Sequence, residues 1–158
     1  MNTELIIKIM ADYAVFPIIL IGTYALVFKI PKEQRLDSYK RILMAGLTSY
    51  LIAKIIGSVY QPLGERPFEI LGIPAGASFL NNPGFPSDHT LFIMAITCAV
   101  WFETKQKVLS TILLALVVIV SVGRVLALVH TPVDVVGGVI IATLGSVFYL
   151  NKKSYLSK

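Results

Sequence analysis

The chain has 158 residues, of which 56% are hydrophobic and only 15% are charged, and its mean hydropathy is +0.77. A soluble domain carries roughly 25% charged residues, so this composition excludes an ordinary soluble domain and indicates that lipid surrounds much of the surface. The net charge of +5 does not by itself indicate nucleic acid, because charges in a membrane protein are assigned to a membrane side before they are summed. We expect one membrane-embedded domain, residues 1–158, with no nucleic-acid partner.

Five apolar segments are long enough to cross a membrane. Each has about 17 to 21 residues, and a helix needs about 20 residues to cross ~30 Å of hydrocarbon. A short amphipathic leader, TELIIKIM, precedes them and is expected to rest on the outer interface. The first segment is expected to be a permanent span, because its apolar run is too long for a signal peptide and no small-x-small cleavage site follows. The segments lie near 12–30, 42–60, 88–104, 108–128 and 132–150.

The charges between these segments predict their orientation. Ten of the fourteen basic residues lie in KIPKEQRLDSYKR (29–41), ETKQK (103–107) and the tail NKKSYLSK (151–158). With five spans these three stretches share one face, and the positive-inside rule predicts that this face is cytoplasmic. The sequence therefore predicts an all-α polytopic membrane bundle with the N-terminus outside. It has five transmembrane helices, or six if the leader forms one.

Ionisable groups that orientation does not explain gather at the opposite, outer face. Each has a simpler reading: a lysine or arginine can snorkel to the interface, a serine can be only a helix cap, and a lone histidine can be structural. Their convergence on one face argues against these separate readings and predicts one functional site. Its candidate residues are Lys54, Arg66, Ser87, Asp88, His89, Arg124, His130 and Asp134.

Two predicted helix N-termini in this cluster favour an anion as the ligand. In HTPVD (130–134), Pro132 suits the first helical position, which makes Thr131 the N-cap and Asp134 the third helical residue of a capping-box-like arrangement. Ser87 is the predicted cap of the third span. Helix N-termini bind anions, and nearby arginine and lysine side chains suit a phosphate group in particular.

Metal binding is the competing use of histidine and aspartate here. Three cations would repel a metal ion, and a dinuclear hydrolase normally needs more carboxylates, so we predict a site with neither metal nor cofactor.

His130 lies one helical turn from Asp134, close enough for the carboxylate to hold an imidazole N–H, and is the predicted nucleophile. His89 is the candidate acid for the leaving oxygen, and the cations would stabilise charge on the equatorial oxygens.

The cluster resembles the type 2 phosphatidic acid phosphatase superfamily of membrane lipid phosphatases. That family carries Lys, six residues and Arg-Pro, then Pro-Ser-Gly-His, then Ser-Arg, five residues, His, three residues and Asp. The corresponding stretches here are Lys54 with Arg66-Pro67, PSDH (86–89), and GRVLALVHTPVD (123–134). Eleven residues separate Lys54 from Arg66, an aspartate replaces the glycine of the second motif, and a glycine replaces the serine of the third.

The resemblance implies a helical membrane fold, a phosphohistidine on His130, His89 as the acid, and no metal. It also implies that phosphate is bound by Lys54, Arg66, Ser87, Arg124 and the backbone amide of Asp88. The carboxylate of Asp88 would add repulsion that tunes substrate choice, and Gly123 removes one hydroxyl.

The predicted substrate is a lipid phosphate or diphosphate in the outer leaflet of a bacterial cytoplasmic membrane. The PSDH motif resembles that of undecaprenyl-diphosphate phosphatases, which makes this activity the favoured one. Lipid A 1-phosphatase and phosphatidylglycerophosphate phosphatase are alternatives.

A lipid phosphotransferase would pass the same phosphoryl group to an acceptor other than water. A small transporter with a proton relay is another class, although its polar groups should line a path through the bilayer.

Overall fold

The computed structural model describes residues 2–82 and 84–150, and every regular element within these residues is helical. The predicted all-α fold is therefore confirmed. The basic tail used for orientation, with Lys152, Lys153 and Lys158, lies outside the described residues. The helices are α1 (Thr3–Lys8), α2 (Val15–Phe28), α3 (Arg35–Val59), α4 (Pro67–Ile70), α5 (Asp88–Thr104), α6 (Lys107–Leu126), α7 (Pro132–Leu144) and α8 (Val147–Leu150).

The leader is continuous with the first span. A π-helical segment, Ile9–Tyr13, joins α1 to α2, and the Ala14 N–H donates to the Ile9 carbonyl five residues earlier. The whole run, Thr3–Phe28, has 26 residues and is apolar enough to cross a membrane. The leader is thus the beginning of the first helical run and does not form a sixth span.

Within the described residues, four helical runs are long and apolar enough to span a membrane, namely Thr3–Phe28, Lys32–Val59, Lys107–Leu126 and Pro132–Leu150. The remaining predicted span is α5, whose 17 residues make it the shortest of the five. Nine of those residues are buried, including the fully buried Ile93 and Val100. Helix α5 is therefore the central helix, and the other runs pack around it with large apolar side chains exposed outward.

The N-termini of α5 and α7 lie side by side because small residues permit close packing. The Ser87 N–H donates to the Asp134 carbonyl at 3.0 Å, which ties the two helix starts together. A Cβ atom at Gly138 would lie 2.8 Å from the Ser87 carbonyl oxygen and 3.0 Å from the Leu91 nitrogen. Glycine at this position thus allows the two helices to approach and present their positive ends together.

A partly buried ion pair occupies the other end of the bundle. Arg41 donates through Nε and Nη2 to the two carboxylate oxygens of Glu103, each at 2.7 Å, and the Ser38 hydroxyl donates to the same carboxylate at 2.7 Å. Arg41, one of the basic residues used to predict the cytoplasmic face, lies within α3 and not in a loop. Its pairing with Glu103 of α5 also makes it part of the packing between these two helices.

The predicted orientation can be tested by cysteine labelling. Asn81 and Gln106 are exposed and lie at opposite ends of α5. In a Cys98→Ala background, we expect a membrane-impermeant maleimide added to intact cells to label Asn81→Cys. Gln106→Cys should react only after permeabilisation. Labelling of both positions from the same side would contradict the predicted topology.

Candidate active site

A narrow polar pocket lies where α5 and α7 begin. It brings together five of the eight predicted site residues, although Lys54, Ser87 and Asp134 do not line it. Arginine and histidine side chains dominate its polar lining, so the pocket is suited to an anion. The lining residues are Arg66, Leu80, Asn82, Pro86, Asp88, His89, Arg124 and His130.

Arg66 connects the segment before α5 to the segment before α7. Its Nη1 donates to the Val129 carbonyl at 2.6 Å, and its Nη2 donates to the Asn82 side-chain oxygen at 2.9 Å. Its backbone N–H donates to the Glu69 carboxylate at 2.7 Å in a capping box at the start of α4. Burial lowers the pKa of Arg66 from its usual value, but an arginine starts so high that it stays charged.

Arg124 lies in the last turn of α6 and is almost completely buried, with 1% of its surface exposed. Its Nη1 donates to the Ser78 carbonyl at 2.7 Å and to the Asp12 carboxylate at 3.1 Å. Its buried Nε has no hydrogen-bond partner among the described residues. One side of the guanidinium is therefore fixed, and the residue also lines the pocket.

His130 precedes α7 and is buried, but its predicted hydrogen bond to Asp134 is absent. The Nδ1 atom lies 3.6 Å from Asp134 Oδ2, which is longer than a hydrogen bond, and Nδ1 has no partner in the described residues. The same Asp134 Oδ2 accepts the Thr131 N–H at 2.7 Å, and Thr131 Oγ accepts the Asp134 N–H at 3.2 Å. The predicted capping box thus forms and engages the carboxylate oxygen that lies nearest to His130.

Burial lowers the pKa of His130 from its usual value, and the nearby Asp134 carboxylate opposes this effect. At neutral pH the imidazole is therefore neutral, which is the form that can attack phosphorus. His89, the second residue of α5, faces the same pocket. The two histidines thus share one pocket from two different helix starts.

Ser87 is the N-cap of α5, as its position before the helix predicts. Its hydroxyl is fully buried and accepts the Thr90 N–H at 3.5 Å and the Thr90 hydroxyl at 3.2 Å. Its side chain is engaged in capping and does not line the pocket. A phosphate contact for Ser87 is thus not visible in this arrangement.

Lys54 approaches the pocket through Asp88. Its Nζ lies 2.9 and 3.0 Å from the two carboxylate oxygens of Asp88, and 5.1 Å from the centre of the Tyr50 ring. Asp88 also accepts the Asn82 side-chain amide at 2.9 Å. The Asp88 carboxylate, which was expected to add repulsion toward a phosphate, is thus paired with the charge of Lys54.

Sequence reasoning missed Asp12, Ser78 and Asn82. Asp12 holds Arg124, while Asn82 connects Arg66 to Asp88. The signal for Asp12 is an acidic residue within the apolar run IIKIMADYAVF, since a carboxylate at membrane depth needs a partner. Neither Ser78 nor Asn82 carries such a signal, because both lie in a loop rich in small and polar residues.

An apolar groove of about 620 Å³ runs between α3 and α5 beside this pocket. Leu47, Tyr50 and Phe92 contribute to its apolar wall. Asn82 and Asp88 line both the groove and the polar pocket. The two spaces therefore meet at these residues.

The described residues contain no group of three or more His, Cys, Asp or Glu side chains that could hold a metal ion. Two histidines, two carboxylates and three cations instead surround the starts of α5 and α7.

These features define a helical membrane protein with a basic pocket at two helix N-termini. The PAP2 superfamily profile matches residues 38–157, which is most of the chain. The chain therefore belongs to the PAP2 superfamily, and the resemblance drawn from its three motifs is confirmed.

Two bacterial proteins show what the chain is similar to. Undecaprenyl-diphosphatase BcrC of Bacillus subtilis (strain 168) is 29% identical over 117 residues, covering 72% of this chain and 58% of that protein. Bacitracin transport permease protein BcrC of Bacillus licheniformis is 27% identical over 108 residues, covering 66% of this chain and 50% of that protein. The chain thus spans about half the length of these curated relatives. No solved structure matches it significantly.

Proposed function

We propose that this protein is an integral-membrane lipid phosphatase, with its single domain over residues 1–158, that hydrolyses a lipid phosphate ester or diphosphate. Undecaprenyl diphosphate is the favoured substrate, because one relative is named an undecaprenyl-diphosphatase. The observation that carries the proposal is the convergence of two arginines and two histidines in one pocket. These side chains are Arg66, His89, Arg124 and His130.

In the proposed first step, His130 attacks the terminal phosphorus through Nε2, because Nδ1 faces Asp134. The N–P bond forms while the P–O bond to the leaving group breaks, and His89 donates a proton to the departing oxygen. Arg66 and Arg124 stabilise the charge on the equatorial oxygens. In the second step, water attacks the phosphorus of the phosphohistidine and gives one proton to His89, the N–P bond breaks, and inorganic phosphate leaves free His130.

The groove between α3 and α5 supports a lipid as the substrate. Its wall is apolar and its polar end, at Asn82 and Asp88, is shared with the pocket. A lipid chain in the groove would therefore place its phosphate among the arginines. We propose that the site faces the outside of a bacterial cytoplasmic membrane, where lipid phosphates of the outer leaflet reach it.

The test of this function is phosphate release by the purified full chain in detergent. The substrate panel contains undecaprenyl diphosphate, lipid A with a 1-phosphate, phosphatidylglycerophosphate and phosphatidic acid. We expect the highest kcat/KM with undecaprenyl diphosphate.

Faster release from lipid A or phosphatidylglycerophosphate would support the corresponding alternative. An acceptor alcohol that diverts the phosphoryl group from water would indicate a phosphotransferase. No release from any lipid would contradict the proposal.

Chelation tests the proposed metal-free chemistry. Because cations and helix N-termini account for phosphate binding, activity should be unchanged in excess EDTA. Vanadate should inhibit, since it resembles the five-coordinate transition state. Loss of activity in EDTA, restored by a divalent ion, would contradict the phosphohistidine mechanism.

A transporter is the second candidate, because one relative is named a transport permease. Helix α5 argues against a polar path through the described part of the bundle. Between His89 at one end and Glu103 at the other, its inward side chains include the fully buried Ile93 and Val100. These pack with the apolar core of α2 and α6, so we favour the phosphatase.

A further inference from the structure

We propose that Asp12, in the first helical run, is a positioning residue that holds Arg124 in its phosphate-binding orientation. This inference rests on the proposed function, since it concerns how the same site binds its phosphate. It also gives the leader and first span a role in the chemistry, although they lie outside the three motifs and outside the part matched by the family profile.

The contact is a closed arrangement of three residues. Asp12 Oδ1 accepts from Arg124 Nη1 at 3.1 Å and from the Ser78 hydroxyl at 2.8 Å, and Asp12 Oδ2 accepts the Ser78 N–H at 3.0 Å. The Ser78 carbonyl in turn accepts from the same Arg124 Nη1 at 2.7 Å. Each residue is therefore held by the other two, and the arginine has one preferred orientation.

Arg124 needs such a partner because it is buried. Its side chain is 1% exposed and that of Asp12 is 14% exposed, and a buried charge without a partner is costly. Asp12 and Ser78 both engage Nη1, and neither of them lines the pocket, whereas Arg124 does. The carboxylate thus balances the charge of the guanidinium from outside the pocket.

The first helical run is built to bring Asp12 to this position. Gly123 precedes Arg124, and a Cβ atom there would lie 2.6 Å from the Ala11 nitrogen and 2.7 Å from the Met10 carbonyl carbon. The backbone of the π-helical segment therefore rests directly on α6 at the glycine that replaces the serine of the family motif. Ala11 is fully buried in a cluster with Phe68, Ala77, Ala127 and Val129.

The inference predicts a specific kinetic change. Asp12→Asn keeps the shape of the side chain but removes its charge, so the guanidinium loses its charged partner. We expect kcat to fall about 10- to 100-fold with KM changed less than about 3-fold, because the arginine acts mostly on charge that develops in the transition state. Vanadate should bind more weakly by a similar factor. Asp12→Glu, which restores the carboxylate, should recover part of the loss.

Control variants separate positioning from folding. Glu4→Gln removes an exposed carboxylate from the same helical run and should leave kcat, vanadate binding and Tm unchanged. Gly123→Ala should push the π-helical segment away from α6 and reproduce the weaker vanadate binding while every titratable side chain remains. In an Arg124→Ala background, Asp12→Asn should weaken vanadate binding no further, since coupled residues are not additive.

The decisive measurement is vanadate affinity of the full chain, read from the shift in Tm, because it needs no turnover. Wild-type affinity in Asp12→Asn, or an equal further loss in the Arg124→Ala background, would overturn the inference. Vanadate binding without hydrolysis of any lipid phosphate would refute the proposed phosphatase and leave the positioning role measurable. A wild-type chain that neither binds vanadate nor hydrolyses lipid phosphates would overturn both.

Discussion

His130→Ala is expected to abolish phosphate release from every substrate, whereas the defect of His89→Ala should depend on the leaving group. In the proposed mechanism, His130 forms the bond to phosphorus, so no other residue can replace it. His89 supplies only the proton for the departing oxygen. The two histidines share one pocket, but their removal should have different consequences.

The leaving group decides how much His89 matters. A lipid alcohol leaves poorly without a proton, so His89→Ala should lose about 10²- to 10⁴-fold on a lipid monophosphate, the usual contribution of general acid catalysis. The lipid monophosphate expelled from a diphosphate, and p-nitrophenolate, leave much more easily. The same variant should therefore lose far less on p-nitrophenyl phosphate, where His130→Ala remains inactive.

Asp134→Asn should give an intermediate loss. Asp134 lies 3.6 Å from His130 Nδ1 and also caps α7 through Thr131. An amide can still accept the Thr131 N–H, so the helix start should survive, while the charge that stabilises the imidazolium is lost. Tm should change little in this variant, and kcat should fall.

Trapping with 32P-labelled substrate provides the direct readout. Wild-type protein and His89→Ala should form an acid-labile phosphoprotein, and His130→Ala should form none. Equal defects in the two histidine variants across all leaving groups would contradict the division of roles. A labelled intermediate in His130→Ala would show that the nucleophile is another residue.

Local signals in the sequence predicted the helix starts correctly. Ser87 before α5, and Thr131 with Pro132 and Asp134 at the start of α7, have side-chain chemistry that specifies a cap within three or four residues. The same short range explains why the apolar segments could be located. A membrane helix must satisfy its own backbone hydrogen bonds, so the length of an apolar run is nearly enough to identify it.

Interactions between distant residues could not be predicted in this way. The pairing of Asp12 with Arg124 joins residues 112 positions apart, and that of Arg41 with Glu103 joins residues 62 apart. The spacing of His130 and Asp134 predicted proximity, but not that the Thr131 N–H would take the carboxylate oxygen. Whether two nearby groups reach hydrogen-bond distance depends on ångström-scale geometry, which a sequence pattern does not specify.

Arg66→Ala is expected to damage both stability and activity, because this arginine has two tasks. Besides lining the pocket, its guanidinium donates to the carbonyls of Val129, Leu80 and Asn82. Removing it leaves the buried Val129 carbonyl without this donor, and an unsatisfied buried group costs about 1–3 kcal/mol. We therefore expect a Tm decrease of roughly 2–12 °C, given about 2–4 °C per kcal/mol in a chain of this size.

The catalytic loss should be larger than the stability loss explains. A cation facing the transferred phosphate is removed, and losing one such group costs on the order of 10²- to 10³-fold in kcat. Arg66→Lys distinguishes the two tasks, since an ammonium keeps the charge but cannot reach the same carbonyls in a fixed fork. It should retain more activity than Arg66→Ala while its Tm remains low.

Arg35→Ala is the matched control for both effects. Arg35 also donates to a backbone carbonyl, that of Ile30 at 3.3 Å, but it lies at the other end of the bundle. Its removal should leave kcat/KM unchanged.

If Arg66→Lys matched wild-type protein in both Tm and kcat/KM, the positive charge alone would suffice for both tasks, and the carbonyl contacts would not matter. If Arg66→Ala kept wild-type kcat/KM, Arg66 would have no part in phosphate binding, and Arg124 would be the principal guanidinium in the pocket.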